Sequence, residues 1–265
     1  MMRWLSGRYK LLQEFGIDPR KTLRSFAALP RYIADLRLFK RELNGSAGEF
    51  VMDKLHPCLH DMHEEGGTAR GQYFHQDLHV ARRVFINSPR KHLDVGSRVD
   101  GFVAHVASFR EIVVADIRTV SARIPNVSFV RADLMKSPPQ DLWNFCDSLS
   151  CLHAIEHFGL GRYGDPINPG GHLVGLHNLS ALLQAGGKFY FSFPIGRQRI
   201  EFNAHRVFDL RYMLDSLTRI YQIDQFSYVN DRGDFSENVG LAAADVEENF
   251  GCQFGLGLFE MTKLA

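Results

Sequence analysis

The chain has 265 residues, of which 45% are hydrophobic and 23% charged, and this is the composition of one globular α/β domain with an appendage. No stretch approaches the roughly 18 to 20 apolar residues of a membrane-spanning helix, and residues 1–10 lack the pattern of a secretory signal. Four scattered cysteines and a net charge of +1 favour reduced thiols and a cytoplasmic protein.

The first 43 residues carry ten lysines and arginines but only four acidic residues. Their pattern predicts short helices broken near residues 16–19 and at Pro30, then a connector with a short helix. We therefore predict a basic helical extension and connector over residues 1–70. Its charge is either a solvated helix face or a peripheral contact with the inner face of a membrane. Nucleic acid is not expected as a partner, because no binding module accompanies the charge.

From residue 71 apolar strands alternate with helices. Helices are predicted over residues 72–87, 101–109, 173–184 and 210–217. Strands are predicted over residues 91–95, 111–116, 127–131, 146–152, 188–194, 221–228 and 253–261. This alternation predicts a second domain over residues 71–265, with a mostly parallel seven-stranded sheet and helices on both faces.

Three aspartates mark the ends of the first three predicted strands. Asp94 precedes a turn between Gly96 and Gly101, where glycine lets a ligand approach the backbone. A carboxylate at this position repels a pyrophosphate and attracts an ammonium group. Asp116 can accept both hydroxyls of a ribose, and Asp133 can accept a proton from an adenine amino group. The alternative is that each aspartate only caps the following helix.

These motifs resemble the class I S-adenosylmethionine-dependent methyltransferases over residues 72–265. The turn at residues 183–188 is similar to the family's L-x-P-G-G turn, with Ala185 in place of proline. The resemblance implies a Rossmann-like class I methyltransferase fold with S-adenosylmethionine as cofactor. Tyr73 could shield that cofactor, and Gln76 or Asp77 could bind near its methionine end. The predicted cofactor-binding residues are Asp94, Gly96, Ser97, Gly101, Asp116, Ile117, Asp133, Leu134, His153 and Tyr73.

Residues 73–78, 159–166 and 203–206 resemble signatures of a methyltransferase-like family of unassigned function. Members of that family are associated with surface polysaccharide synthesis, which implies a sugar hydroxyl as acceptor. Arg162, Tyr163, Asn203 and Arg206 fall in these signatures and are the predicted substrate-binding residues. Arg206 could hold an anionic group on the acceptor.

The segment 153–157 resembles the E-x-x-E-H segment of ubiquinone-type O-methyltransferases, with His153 replacing the first glutamate. His153, Glu156 and His157 could hold a divalent metal, but we favour pocket lining without a metal. A hydroxyl acceptor needs a base, and His157 and His205 are the candidates because imidazole titrates near neutral pH. Asp165 could orient a histidine or bind a sugar hydroxyl.

The sequence thus predicts an O-methyltransferase that acts on a carbohydrate hydroxyl in surface polysaccharide synthesis. One alternative is a methyltransferase of a small aromatic or lipid-like acceptor. Another is a non-catalytic methyltransferase-like scaffold at a membrane-side assembly. The acceptor, the metal dependence and the oligomeric state are left open.

Overall fold

A computed structural model of the protein describes residue 9 and residues 12–45, 50–59, 67–118 and 121–265. The chain divides into two compact units, residues 1–68 and 69–265. Most of the first ten residues, which contribute to the predicted basic surface, lie outside the described residues. Within the described ranges, no helix has both the length and the apolar character needed to cross a bilayer.

The first unit contains one long helix, α1 (Pro19–Gly45). The predicted break near residues 16–19 is confirmed: Asp18 accepts hydrogen bonds from the backbone N–H groups of Arg20 and Lys21 and so caps the first turn. The predicted break at Pro30 is wrong, because α1 runs through Pro30 without ending. Residues 50–59 and 67–71 contain no helix, so the connector's predicted helix is not found in its described part.

The second unit is built on a sheet of eight strands, with a separate two-stranded ribbon. The strands are β1 (His92–Val95), β2 (Ile112–Asp116), β3 (Val127–Arg131), β4 (Cys146–Leu152), β5 (Leu183–Ile195), β6 (Arg199–Glu201), β7 (His205–Val207), β8 (Tyr221–Val229), β9 (Phe235–Ser236) and β10 (Gly255–Lys263). The sheet order is β3-β2-β1-β4-β5-β10-β8-β9, and β6 pairs with β7. Strands β1 to β5 pair in parallel, whereas β10 is antiparallel to both of its neighbours.

All seven predicted strands are present, but the sheet has an eighth strand, β9, that the sequence did not indicate. The glycine turn at residues 183–188 is also different from its prediction. It lies inside β5, where the register against β4 shifts between Cys146 and Ser148. Gly186 has a φ of 74° there, so the extra residues form a bulge rather than a turn between a helix and a strand.

Helices cover both faces of the sheet. They are α2 (Gln72–Asn87), α3 (Ala104–Ala107), α4 (Gly171–Leu182), α5 (Leu210–Leu217) and α6 (Ala243–Glu247). Val80, Val84 and Phe102 pack into one apolar cluster with Val114. Leu176, Leu179 and Met213 belong to the other cluster, which includes Phe191 and Phe193. Strands β1 and β4 bury side chains on both faces of the sheet, so helices are needed on each side to cover them.

The strand order reverses between β1 and β4, since β2 and β3 lie on one side of β1 and β5 lies on the other side of β4. In open parallel sheets, a ligand binds beyond the carboxyl ends of the strands at such a reversal. The fold therefore places a binding site at the ends of β1, β2, β3 and β4.

Candidate functional site

A cleft of about 340 Å³ opens at this end of the sheet. Its floor is formed by the residues that follow four strands: Gly96 after β1, Asp116 at the end of β2, Asp133 after β3 and His153 after β4. The predicted site residues that line the cleft are Tyr73, Gly96, Asp116, Ile117, Asp133, Leu134, His153, His157, Arg162, Tyr163 and Asp165. The structure thus brings together most of the side chains that the sequence proposed separately.

The Asp94 carboxylate does not line the cleft but is fully buried below it. It accepts hydrogen bonds from the Ser97 backbone N–H at 3.1 Å, the Ser97 hydroxyl at 2.6 Å and the Ser150 hydroxyl at 2.5 Å. Burial raises the pKa of Asp94 to about 6, although these hydrogen bonds act in the opposite direction. Asp94 and Ser97 therefore hold the shape of the glycine turn from below.

Asp77 on α2 is the carboxylate that reaches the cleft at this position. A Cβ atom added to Gly101 would overlap the Asp77 carboxylate, so Gly101 gives that side chain its space. Burial raises the pKa of Asp77, while the hydrogen bond from Gln76 at 2.9 Å lowers it. A cationic ligand beside Asp77 would stabilise its ionised form, as the α-ammonium group of S-adenosylmethionine would do.

Gly96 forms the other part of the turn. Its φ of 76° lies in the left-handed region, and a Cβ there would be 3.0 Å from Ala154 Cβ. The backbone turns sharply at this point and leaves the cleft floor open, as close approach by a ligand requires.

Asp116 is held by a neighbour that the sequence analysis did not consider. The Arg118 guanidinium donates to both carboxylate oxygens, with Nε 2.9 Å from Oδ1 and Nη2 2.7 Å from Oδ2. The Arg118 backbone N–H donates to Oδ1 as well. A ribose diol can therefore bind Asp116 only by sharing the carboxylate with Arg118 or by displacing the guanidinium.

The end of β3 supplies a polar group beside an apolar surface. Asp133 Oδ1 accepts a hydrogen bond from the Met135 backbone at 3.0 Å, which fixes the turn. Ile117, Leu134 and Met135 line the same part of the cleft. A flat aromatic ring with an exocyclic amino group matches this combination of a carboxylate and aliphatic side chains.

His153 and Glu156 form a buried pair at the end of β4. His153 has a φ of 53°, a conformation that non-glycine residues rarely adopt and that clusters at functional sites. Its Nδ1 lies 2.5 Å from Glu156 Oε1, and its Nε2 lies 2.7 Å from Gln72 Oε1. Tyr73 stacks on the ring with centroids 4.8 Å apart. Burial raises the pKa of Glu156, but the charges of His153 and His157 and the hydrogen bond from His153 lower it overall.

His157 has a defined tautomer. Its Nδ1 lies 2.7 Å from the Ala204 carbonyl oxygen, which can only accept, so Nδ1 carries the proton. Its Nε2 then has a lone pair, and the side chain lines the cleft. Burial lowers the pKa of His157, so the ring stays neutral below the ordinary histidine range. A neutral imidazole with a lone pair at a cleft can accept a proton.

Within the described residues, no group of three or more His, Cys, Asp and Glu side chains is arranged to hold a metal ion. His153, Glu156 and His157, which were the metal candidates, instead bind each other and the backbone. Glu156 Oε1 lies 3.7 Å from His157 Nε2 as well as against His153.

Two charged side chains, the partly exposed Asp165 and the buried Arg206, fix the loop after β4. Asp165 accepts hydrogen bonds from the backbone N–H groups of Gly159, Gly161 and Tyr163. Arg206 donates to four backbone carbonyls, those of Glu156, Phe158, Asn168 and Pro169. The loop is therefore rigidly attached at both of its ends, and Arg206 uses its guanidinium for this purpose.

The segment 203–206 reaches the site through its backbone. The Ala204 carbonyl orients His157, whereas the side chains of Asn203, His205 and Arg206 do not line the cleft. His205 Nε2 lies 3.5 Å from Glu201 Oε2, and its ring packs on Phe254. The structure therefore separates the two candidate bases and places only His157 at the cleft.

Arg118 and the Ala204 carbonyl are the two contributors that sequence reasoning missed. Arg118 follows Asp116 by two residues, a spacing that allows an ion pair across a turn and could have indicated it. A backbone carbonyl leaves no signal in the residue types, so the role of Ala204 required the fold.

Residues 117–244 match the model of a family described as "Caenorhabditis protein of unknown function, DUF268". No curated protein matches the chain. Among solved structures, the [4+2]-cyclase SpnF is 16% identical with a TM-score of 0.50, covering 72% of this chain and 80% of its own. The 1,6-didemethyltoxoflavin-N1-methyltransferase of Burkholderia thailandensis, solved with 1,6-didemethyltoxoflavin and S-adenosylhomocysteine, is 13% identical with a TM-score of 0.50, covering 72% and 79%.

These likenesses establish the fold. The second unit has the Rossmann-like fold of the class I methyltransferases, with a large, mostly parallel central sheet and helices on both faces. At identities this low, the similarity shows the fold alone, and the chemistry has to be inferred from the residues of the site.

Proposed function

We propose that the chain is an S-adenosylmethionine-dependent O-methyltransferase. The observation that carries this proposal is the convergence of the Gly96 turn, Asp116 and Asp133 on one cleft at the strand reversal. Asp77 adds a carboxylate beside Gly101 whose ionisation a cation would favour. The residues present therefore fit S-adenosylmethionine, with Asp77 toward its ammonium group, Asp116 toward its ribose and Asp133 toward its adenine.

S-adenosylmethionine, when bound, supplies a methyl group activated by a sulfonium. The chain's own residues then have two tasks, which are to align an acceptor oxygen and to remove its proton. His157 Nε2 accepts that proton, while the Ala204 carbonyl holds the ring in position through Nδ1–H. Glu156 Oε1 lies 3.7 Å from the same Nε2, so the carboxylate stabilises the positive charge that the ring acquires with the proton.

We further propose that the acceptor is a carbohydrate hydroxyl in surface polysaccharide synthesis. The sequence signatures at residues 159–166 and 203–206 support this, because the structure puts both segments around His157. Tyr163 lines the cleft with a partly exposed ring beside Arg162, so it offers apolar area that a bound sugar can contact. The test is a methyl-transfer screen against nucleotide sugars and glycan oligomers, read as the mass gain of one methylene unit.

Replacing Asp116 tests the cofactor site. We expect Asp116→Ala to weaken S-adenosylmethionine binding by about 1–3 kcal/mol, because the hydrogen bonds from the ribose hydroxyls are lost. Isothermal titration calorimetry measures this directly. Asp215→Ala, which removes an exposed acid from α5, is the matched control and should bind as the natural chain does. Equal affinity for all three proteins would contradict the assignment of the ribose to Asp116.

For the first unit we propose a peripheral contact with anionic membrane lipid on the cytoplasmic side. Helix α1 exposes Leu23, Phe26 and Phe39 among its basic residues, a pattern that suits the interface of a bilayer. We expect the chain to float with vesicles that contain phosphatidylserine but not with phosphatidylcholine alone. Phe26→Ser should reduce this flotation and so should added salt. No flotation with either vesicle would contradict the contact.

A further inference from the structure

Arg162 carries a positive charge in the cleft, and no acidic side chain in the described part of the chain pairs with it. The two other arginines that line the cleft are paired, Arg98 with Asp100 and Arg118 with Asp116, each at 2.7 Å. Among the residues that the structure describes, Arg162 makes no ion pair, and its guanidinium has one hydrogen bond, from Nη1 to the Ala204 carbonyl at 3.1 Å. Most of its N–H donors therefore face the cleft and solvent.

The backbone that presents Arg162 is fixed. The Asp165 carboxylate holds the backbone N–H groups before and after Arg162, and Arg206 holds the carbonyls at both ends of the loop. Tyr163 supports the guanidinium from one side, with its ring centroid 5.2 Å from the Arg162 carbon. A preorganised guanidinium loses less conformational entropy when it binds an anion.

One atom links Arg162 to the proposed base. The Ala204 carbonyl oxygen accepts from His157 Nδ1 at 2.7 Å and from Arg162 Nη1 at 3.1 Å. The two nitrogens are therefore within about 6 Å of each other, because each is within hydrogen-bond distance of the same oxygen. A group bound by Arg162 would lie next to a hydroxyl placed on His157.

We infer that the acceptor bears a carboxylate or phosphate close to the hydroxyl that is methylated, and that Arg162 binds this anionic group. This inference rests on the proposed function and narrows its substrate class to acidic sugars, such as a uronic acid or a sugar phosphate. The sequence suggested Arg206 as the anion-binding residue, but its guanidinium donates hydrogen bonds to four backbone carbonyls. We therefore assign anion binding to Arg162. Planar guanidinium groups bind both anions through paired hydrogen bonds.

The experiment measures binding of glucuronate, glucose 1-phosphate and neutral glucose to the full chain saturated with S-adenosylhomocysteine. We expect one or both charged sugars to bind more tightly than glucose. Arg162→Ala should lower the affinity for the charged sugars roughly 10- to 100-fold and leave glucose binding unchanged. Arg162→Lys should retain more affinity for the phosphate than for the carboxylate, because lysine offers a point charge instead of a planar fork. The relative affinities of the natural chain for glucuronate and glucose 1-phosphate tell the two anion sources apart.

Arg219→Ala is the control, since it removes an exposed arginine outside the cleft, and it should match the natural chain. No preference for charged sugars, including no binding of any sugar, overturns the inference, as does equal affinity in the natural chain and Arg162→Ala. Failure of the chain to bind S-adenosylhomocysteine would instead overturn the proposed function. The two failures are therefore read from separate titrations.

Discussion

His157→Ala should lower the rate of methyl transfer by about 10²- to 10⁴-fold, which is the usual contribution of a positioned base. The physical reason is the tautomer: the Ala204 carbonyl takes Nδ1–H, so Nε2 is the atom left to receive the acceptor's proton. The affinity for S-adenosylmethionine should change little, because the predicted contacts with the cofactor lie at the ends of β1 to β3. Single-turnover kinetics with a calorimetric Kd separates the two effects.

The matched control is His177→Ala, which removes an exposed histidine from α4. His205→Ala should have a smaller effect than His157→Ala, since His205 does not line the cleft. Equal losses in the two variants would mean that the site rearranges and that His157 has no special role. Circular dichroism of each variant excludes unfolding as the cause of a lost rate.

The pH dependence of the rate offers an independent readout of the same base. Burial lowers the pKa of His157, so its neutral, proton-accepting form persists below the ordinary histidine range. We therefore expect the acidic limb of the kcat/KM profile to lie below pH 6.5, with activity falling as the pH decreases through that limb. In His157→Ala this limb should disappear from the residual activity.

The sequence predicted which strand ends form the site, because the carboxyl ends of neighbouring parallel strands lie at the same edge of the sheet. Asp116 and Asp133 end neighbouring strands, and a rule about strand ends was enough to place both at the cleft. Whether the Asp94 side chain points into the cleft or is buried below it could not be predicted in the same way. Strand β1 is buried on both faces, so the alternation that normally separates inward from outward side chains is absent.

The histidines illustrate a second limit. His157 and His205 were equivalent candidates in the sequence, and only the ribbon formed by β6 and β7 distinguishes them. Its turn brings the Ala204 carbonyl to His157 and leaves His205 packed on Phe254. Pairing of the ribbon is a long-range property, and the residue types carry no local sign of which side chain will face the cleft.

Below the glycine turn, two buried groups should show opposite effects of pH on stability. His92 Nε2 lies 3.1 Å from the Ser150 hydroxyl, and that hydroxyl donates to Asp94 Oδ1. Because the single hydroxyl proton of Ser150 goes to Asp94, His92 Nε2 must carry its own proton and donate to Ser150. His92 Nδ1 lies 2.7 Å from the Ser148 hydroxyl, which can donate to it, and burial lowers the pKa of His92 to about 3, so the ring is neutral.

The signs follow from proton uptake. Below pH 6.5 the unfolded chain protonates His92 and the folded chain does not, so His92 destabilises the fold as the pH falls. Asp94, with a pKa raised to about 6 by burial, takes up a proton in the folded chain before the unfolded chain does. Between pH 6 and pH 4, Asp94 therefore stabilises the fold as the pH falls. Each effect amounts to about 1.4 kcal/mol per pH unit, and in this window they oppose each other.

Asp94→Asn should expose the effect of His92. Relative to the natural chain, the free energy of unfolding of this variant should fall by about 1.4 kcal/mol for each pH unit between pH 6 and pH 4. His92→Asn should do the reverse and gain stability relative to the natural chain over the same window. Urea unfolding at several pH values measures both, and the other histidines cancel because all three proteins share them. Parallel pH profiles for the three proteins would contradict this prediction. They would mean that the pKa values of His92 and Asp94 are the same in the folded and unfolded chain.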